Sequence, residues 1–402
     1  MQPTHPIQLS TTQFANHAHE YFAWMRAEEP VCRVNFTRWN KAYLITRYDD
    51  VIDVMKDPRV FKNPGRAKTN SGSGMIWMPK NFRPLLNNML NTDEPDHRRL
   101  RNLVQQAFTP RIIAAMAPRI EAITHELIDR VQEKGSFELM KDLAFPLPVR
   151  VIAEIIGIPP EDHALFRKWT NAFVQNPTPL NLTRAVPSIN HFFKYVRKLA
   201  DERRRAPQAD LITGLVQAED EGARLTEDEI LGMVFLLLVA GHETTVNLIT
   251  NGTFALLTHP DELARLRADM GLIDSALEEM LRYDGPLMTS EAAFAGEDLT
   301  LRGTTIPKGS LILSALLSAN RDETAFPDAD RFDITRTPNK HLAFGHGIHY
   351  CLGAPLARLE ARTAFCALLE RLPNLRLAIR PEDVRFRNVL IVHKMEQLPL
   401  VC

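Results

Sequence analysis

The chain of 402 residues carries a formal net charge of −1, with 48 Lys and Arg against 49 Asp and Glu. That balance argues against general binding to nucleic acid or to an anionic membrane, and a hydrophobic share of 45% is enough for a large buried core. The opening residues show neither the basic start and apolar run of a secretory signal nor a membrane anchor, and the four cysteines (Cys32, Cys351, Cys366, Cys402) lack disulfide-framework spacing, so a cytoplasmic protein is expected.

In chain order, Tyr21 to Glu29 reads as a short helix stopped by Pro30. Val31–Phe36 and Ala42–Thr46 read as two strands joined around Arg38 to Lys41, and Tyr48–Lys56 returns to helical spacing. Residues 62–92 are rich in Asn, Gly, Ser, Pro and Met. A disordered linker seldom carries a Trp and three Met, so Met75, Trp77 and Met78 are expected to touch substrate. A helix beginning after Pro95 puts His97 and Arg101 four apart on one face, which alone reads as a solvated basic face. Helical patterns continue over Pro110–Lys134, Pro148–Ile156 and Pro160–Gln175. Pro177, Pro179 and Pro187 then fall between apolar helices that include Phe173 and Phe192. That suggests a lid of helix–loop–helix form or an ordinary helical corner. Arg203-Arg204-Arg205 reads as a solvated helix end.

Thr226 and Glu229 form a capping box, so a helix begins near 227. Its run to Leu257 has no proline and spans roughly 45 Å, which makes it a central, buried helix. Ala240 to Thr245 breaks the apolar pattern in its middle. Gly241 leaves room for a planar ligand, and Thr244 can return its hydroxyl to a backbone carbonyl. Taken alone, this is a kink with an exposed Glu243. Helical patterns follow over Pro260–Met270 and Ile273–Tyr283, where Glu279 and Arg282 stand three apart, a spacing weak by itself. Residues 287–316 alternate in strand fashion, and 384–393 reads as a hairpin whose turn could enter a pocket.

The most informative stretch is 344–353. Gly345, Gly347 and Gly353 allow positive φ or close approach to a flat partner. Pro355 suits the first turn of a helix whose apolar stripe runs Leu352, Leu356, Leu359, Thr363, Cys366, Leu369. Cys351 then lies at a helix N-terminus, which favours thiolate over thiol and so permits metal binding.

The pattern Phe344-x-x-Gly347-x-His349-x-Cys351-x-Gly353 resembles the haem-binding signature of the cytochrome P450 monooxygenases. The resemblance implies one mainly α domain with small β sheets over residues 1–402, β-rich at about 30–62 and 287–320 with 384–400. Haem b would lie between the long helix and the cysteine loop. Cys351 would be the iron ligand, with Phe344 under the ring and Ala240, Gly241 and Gly353 bordering it. His97, Arg101 and His349 would hold the propionates. Ala240-Gly241-His242-Glu243-Thr244 resembles the family's oxygen-activation motif, so Glu243 and Thr244 become an acid–alcohol pair relaying protons. Glu279 and Arg282 resemble a buried structural pair, with Arg331 as third member. Relatives usually offer a propionate an arginine in a Thr-Arg or Ser-Arg pair. This chain has Ser290-Glu291, and no propionate role is carried onto Glu291.

The implied reaction inserts one oxygen atom from O2 into a mid-sized lipophilic substrate, as hydroxylation or epoxidation. Residues 240–249 lean toward polyketide or macrolide tailoring. Pocket candidates are Met75, Trp77, Met78, Phe173, Leu237, Ala240, Leu287, Met288, Leu390 and Ile391. Electrons would come from a ferredoxin or flavodoxin with its reductase, docking on Arg98, Arg99, Lys340 and Arg358. The rival readings are a peroxide-driven peroxygenase and a non-catalytic haem-thiolate gas sensor; the acid–alcohol pair argues against the sensor.

Overall fold

Apolar residues that alternate in two distant parts of the chain meet in one sheet. The computed structural model describes residues 6–37, 40–63, 84–85, 88–174, 179–389 and 391–402. Val31–Asn35, Lys41–Ile45, Leu311–Ser314, Ala293–Ala295 and Val60–Phe61 lie side by side in that order. Lys41–Ile45 runs antiparallel to the first strand and parallel to the third. Among its described residues, stretch 384–393 forms no regular hairpin. It makes isolated bridges, Phe386 with Met395 and Val392 with Leu287. Further on, Pro399–Val401 pairs with Ser136–Glu138 and Arg376–Leu377.

Helices make up the rest, with three departures from the sequence reading. The run 110–134 divides at Met116 into Pro110–Ala115 and Ala117–Lys134, because Pro118 in the second helix's first turn has no N–H to continue the first. Where the three prolines suggested a lid or a helical corner, the described residues from Pro179 onward are helix, and Pro177 lies outside the described residues. Pro179–Arg205 runs through Pro187, carried by the buried Ile189, Phe192, Phe193 and Val196, and burial outweighs the local cost of the proline. Arg203 is no solvated helix end: it is buried, ion-paired with Asp210, and donates to the Gly157 carbonyl at 3.0 Å.

The long helix spans Glu227–Thr258, with the Thr226–Glu229 capping box formed at its start. It is apolar and long enough to cross a membrane by composition, yet half of its most apolar window is packed inside the protein, as a core helix would be. Near its C-terminal end it is crossed closely. A Cβ on Gly252 would stand 2.7 Å from the Phe365 ring and 2.8 Å from the Met280 sulfur, so three helices meet where only glycine fits. One of them, Ala354–Arg371, follows the cysteine loop. Its buried face centres on Glu360, Ala361, Ala364, Phe365 and Leu368. Of the expected stripe, Leu356 and Leu369 are buried while Leu352, Leu359 and Cys366 are only partly so.

Glu279 and Arg282, in the helix Ile273–Asp284, form a fully buried pair at 2.7 Å. The third member is Arg336, not Arg331. Arg336 reaches Glu279 at 3.2 Å, while the exposed Arg331 contributes its carbonyl, which accepts from Arg282 at 3.0 Å. The backbone passes Arg331 with its side chain outward, and the chain turns back to the carboxylate five residues later. Arg336→Ala should therefore lower unfolding stability by about 1–3 kcal/mol, whereas Arg331→Ala should stay within about 0.5 kcal/mol of the parent. Urea unfolding followed by tryptophan fluorescence separates the two.

Candidate active site

The cysteine loop is shaped by its backbone. Gly345 and Gly347 take φ of +71° and +73°, conformations that L side chains rarely adopt. The Cys351 N–H donates to the Phe344 carbonyl at 2.9 Å, closing the loop. The N–H groups of Gly353 and Ala354 point at the cysteine sulfur, as expected at a helix start. Cys351 is open to the space in front of the loop, while the surrounding atoms desolvate its sulfur. That desolvation, with the charge of Glu291, pushes the thiol pKa up and outweighs the two N–H groups and Arg101. The helix start favours the thiolate, as expected from sequence, and burial of the sulfur works against it. Phe344 is clamped beneath the loop, with the Arg358 guanidinium 4.4 Å from its ring centre.

The helix Asp96–Ala107 brings His97 and Arg101 to this loop. Arg101 donates to the Ile348 carbonyl at 3.0 Å, and the His97 and His349 rings lie 4.3 Å apart. Burial lowers the His349 pKa to about 3, helped by His97, Lys62 and Arg101, so this imidazole is neutral. His97 is 1% exposed, and neither ring nitrogen has a hydrogen-bond partner among the described residues. An orphaned donor beside a guanidinium fits an absent anionic group such as a propionate.

Sequence reasoning missed Lys62. Its Nζ donates to the Glu291 carbonyl at 3.1 Å and lies 3.6 Å from the Glu291 carboxylate. Strand pairing brings it there, since Phe61 stands opposite Phe294. The unmatched Glu291 was the only clue that a cation was needed; which cation depends on the pairing of strands far apart in sequence.

The long helix faces the same space. Leu238, His242 and Thr245 are buried on one side, whereas Leu237, Gly241 and Thr244 are half-open and Ala240 is exposed. An open stripe in the middle of a core helix marks a cavity wall. Thr244 Oγ1 donates to the Ala240 carbonyl at 2.6 Å, the back-bond foreseen from sequence. At Gly241 a Cβ would lie 3.0 Å from Ile152 Cδ1, so the missing side chain also admits the helix Pro146–Ile156. Glu243 Oε1 accepts from Lys394 Nζ at 2.7 Å, both side chains being largely buried. Lys394 was also missed, and its place follows only from the irregular path of the C-terminal loop.

Among pocket candidates, Leu287 and Ile391 are half-buried. Ile391 accepts from the Met288 N–H at 2.8 Å. The Met288 side chain points away, into the cluster of Phe14, Phe22 and Leu313, so it belongs to the core. Met75, Trp77, Met78 and Leu390, and the side chain of Phe173, lie outside the described residues. In the proposed docking patch, Arg98 and Lys340 are exposed, but Arg99 is ion-paired with Glu229 and Arg358 is held by Glu278 at 2.6 Å.

Known proteins share this arrangement. The family model described as Cytochrome P450 matches residues 1–156 and 166–375. Mycinamicin IV hydroxylase/epoxidase of Micromonospora griseorubida is 40% identical over 94% of each chain. The solved structure of the bacillaene polyketide synthase cytochrome P450 PksS of Bacillus subtilis superposes with a TM-score of 0.91, at 40% identity and 98% coverage of both chains. P450BioI, solved with an acyl carrier protein bearing hexadec-9Z-enoic acid, gives 0.87 at 37% identity, over 98% of this chain and 100% of its own. With a cysteine loop, an oxygen-side helix and a buried Glu–Arg pair in the expected places, this chain belongs to the cytochrome P450 family and is a haem-dependent monooxygenase.

Proposed function

We propose that the protein hydroxylates or epoxidises a mid-sized lipophilic molecule of the polyketide or macrolide type. The observation that carries this reading is the open stripe Leu237, Ala240, Thr244 in a core helix; the back-bonded hydroxyl of Thr244 and the lysine-held carboxylate of Glu243 support a proton-relay role. Relatives that act on mycinamicin and serve bacillaene synthesis support the substrate class. Because half of the long helix's most apolar window is packed inside the protein, we read it as a core helix and not a membrane span.

Haem b would be held by Cys351, with His97, Arg101, His349 and Lys62 at its carboxylate edge, and once bound it supplies oxygen activation. The protein's own part is positional. Thr244 holds its hydroxyl on the Ala240 carbonyl and can turn it toward a water or reactant in the cavity. Glu243 stores a charge beside that hydroxyl, and Lys394 keeps the carboxylate in place until a proton is needed. Leu237, Leu287 and Ile391 exclude water and present apolar surface to the substrate. Electrons would come from a ferredoxin or flavodoxin with its reductase, and the exposed Lys340, with Arg98 in its surface ion pair to Glu94 at 3.1 Å, would face an acidic partner.

A screen of free macrolactones and of acyl chains on their carrier protein, read by displacement of the Soret band, tests the substrate class; no shift from any of them, against a clear shift by unrelated small terpenes, would overturn it. Thr244→Ala should leave that shift intact while product per reductant consumed falls roughly tenfold and hydrogen peroxide accumulates. Unchanged coupling would favour the peroxide-driven reading. Lys62→Met should speed loss of haem to apomyoglobin by about fivefold, the ~1 kcal/mol expected of one partly exposed cation, without altering the Soret maximum of the retained fraction. Equal loss rates would remove Lys62 from the site.

A further inference from the structure

We propose that His19, Asp284 and His393 form a zinc site that ties the helix Ala18–Glu28 and the C-terminal loop to the end of the helix Ile273–Asp284. His19 Nε2 lies 2.9 Å from Asp284 Oδ1, and His393 Nε2 lies 3.0 Å from the same oxygen. One donor atom from each residue falls within 4.8 Å of the other two. Two imidazoles and one carboxylate are the protein ligands of a tetrahedral zinc with its fourth position open to water. None of the three belongs to the cysteine site.

The second observation is His393 itself. It is 3% exposed, and neither ring nitrogen makes a hydrogen bond among the described residues, since the close approach to Asp284 lacks hydrogen-bond direction. A buried imidazole left in this state is costly, and a ligand on Nε2 removes that cost at one nitrogen. The surroundings hold the donors still, as outer-shell groups do around a metal. Asn251 Nδ2, fully buried in the long helix, donates to the carbonyls of both Asp284, at 3.2 Å, and His393, at 3.1 Å. The Phe386 ring stacks on His393 at 4.2 Å, and Asn16 bonds both backbone groups of Phe386, at 3.0 and 3.3 Å. Burial favours the neutral acid at Asp284, but His393 and His19 overcome it and hold the carboxyl well below the usual range.

The two cations nearby are engaged elsewhere. Arg321 lies 3.8 Å from the Tyr283 ring centre and 3.3 Å from Asp330, and Lys394 is bound to Glu243. Ligands at about 2.0–2.1 Å on a tetrahedral ion stand roughly 3.3 Å apart, so each imidazole nitrogen parts from Asp284 Oδ1 by only a few tenths of an ångström, while the two nitrogens already lie within 4.8 Å of each other. The His19 side chain is 32% exposed, which gives an entry path and a place for the water. Since residues 387–394 carry both Ile391 and Lys394, a bound ion would also stiffen one wall of the cavity.

The test uses haem-loaded protein stripped with chelator, given zinc chloride, and dialysed against a chelator of known affinity. Elemental analysis should find one zinc per chain beyond the haem iron, and zinc-edge absorption should show nitrogen and oxygen neighbours at about 2.0 Å, including imidazole. Asp284→Asn and the milder, partly exposed His19→Gln should each weaken retention at least about tenfold, while the Soret band of the reduced CO complex stays that of the parent and certifies the fold. Zinc below a fifth of an equivalent in the parent, or equal retention by His19→Gln, would overturn the proposal.

Discussion

Two buried charges carry the irregular part of this fold. Arg282 and Glu279 expose no side-chain surface, and Arg282 spends its donors on backbone, reaching the carbonyls of Asn320, Ala329 and Arg331 at 3.0, 2.7 and 3.0 Å. Glu279 accepts from the Asp333 N–H, from Arg336 and from Asn339. Stretch 320–342 has no helix or strand to pair its own N–H and C=O groups, and a buried backbone group left alone is expensive. The pair replaces a ladder. Its effect passes directly to the active site, because Asn320 Oδ1 accepts from Leu342 N–H at 2.6 Å and Leu342 opens the cysteine loop. Removing one partner would leave the other buried without compensation, so the pair's value lies in the path it imposes.

The opposite wall obeys a different rule. A core helix is normally closed all round, yet the long helix opens over Leu237 to Thr244 and closes again at Thr245. The opening is made tolerable by back-bonded hydroxyls at Thr244 and Thr245 and by the Glu243–Lys394 pair, which bring no unsatisfied charge into the cavity. Gly252, farther along, lets the helices bearing Arg282 and following Cys351 press against this one. Cavity wall, structural pair and cysteine loop are therefore positioned by one crossing, and a shift in any of them would be felt at the other two.

Features legible in the sequence were those whose chemistry is local. The cysteine loop, the capping box, the His97–Arg101 step and the Thr244 back-bond each sit within a few residues, so spacing alone predicts their geometry. Readings that failed depended on distant chain. Arg331 is nearer in sequence to the expected partner position, but the turn of the chain delivers Arg336. Pro187 signals a loop until the burial of Phe192 and Phe193 is counted. Met288 looks like a pocket residue because its neighbours are, yet strand-like alternation sends it to the other side. The thiol of Cys351 shows the same limit in electrostatics: the helix start is visible in sequence, while the desolvation and the Glu291 charge that outweigh it are not.

Glu291 brings these strands of argument together. A carboxylate at this position would leave two negative groups facing each other once an anionic cofactor edge arrives, and in a partly buried setting such repulsion is weakly screened. The neighbouring strand answers it: the pairing of Phe61 with Phe294 delivers Lys62 to Glu291, with its side chain only 14% exposed. That lysine stands between the carboxylate and the rim, and its charge is felt at His349. A charge change in one strand is thus matched by a residue some 230 positions away in sequence, because the sheet makes them neighbours. In the proposed site the rim would hold an anion through one guanidinium, one ammonium and a buried imidazole that has no hydrogen-bond partner among the described residues. Its grip rests less on net charge than on how little water can compete for those donors.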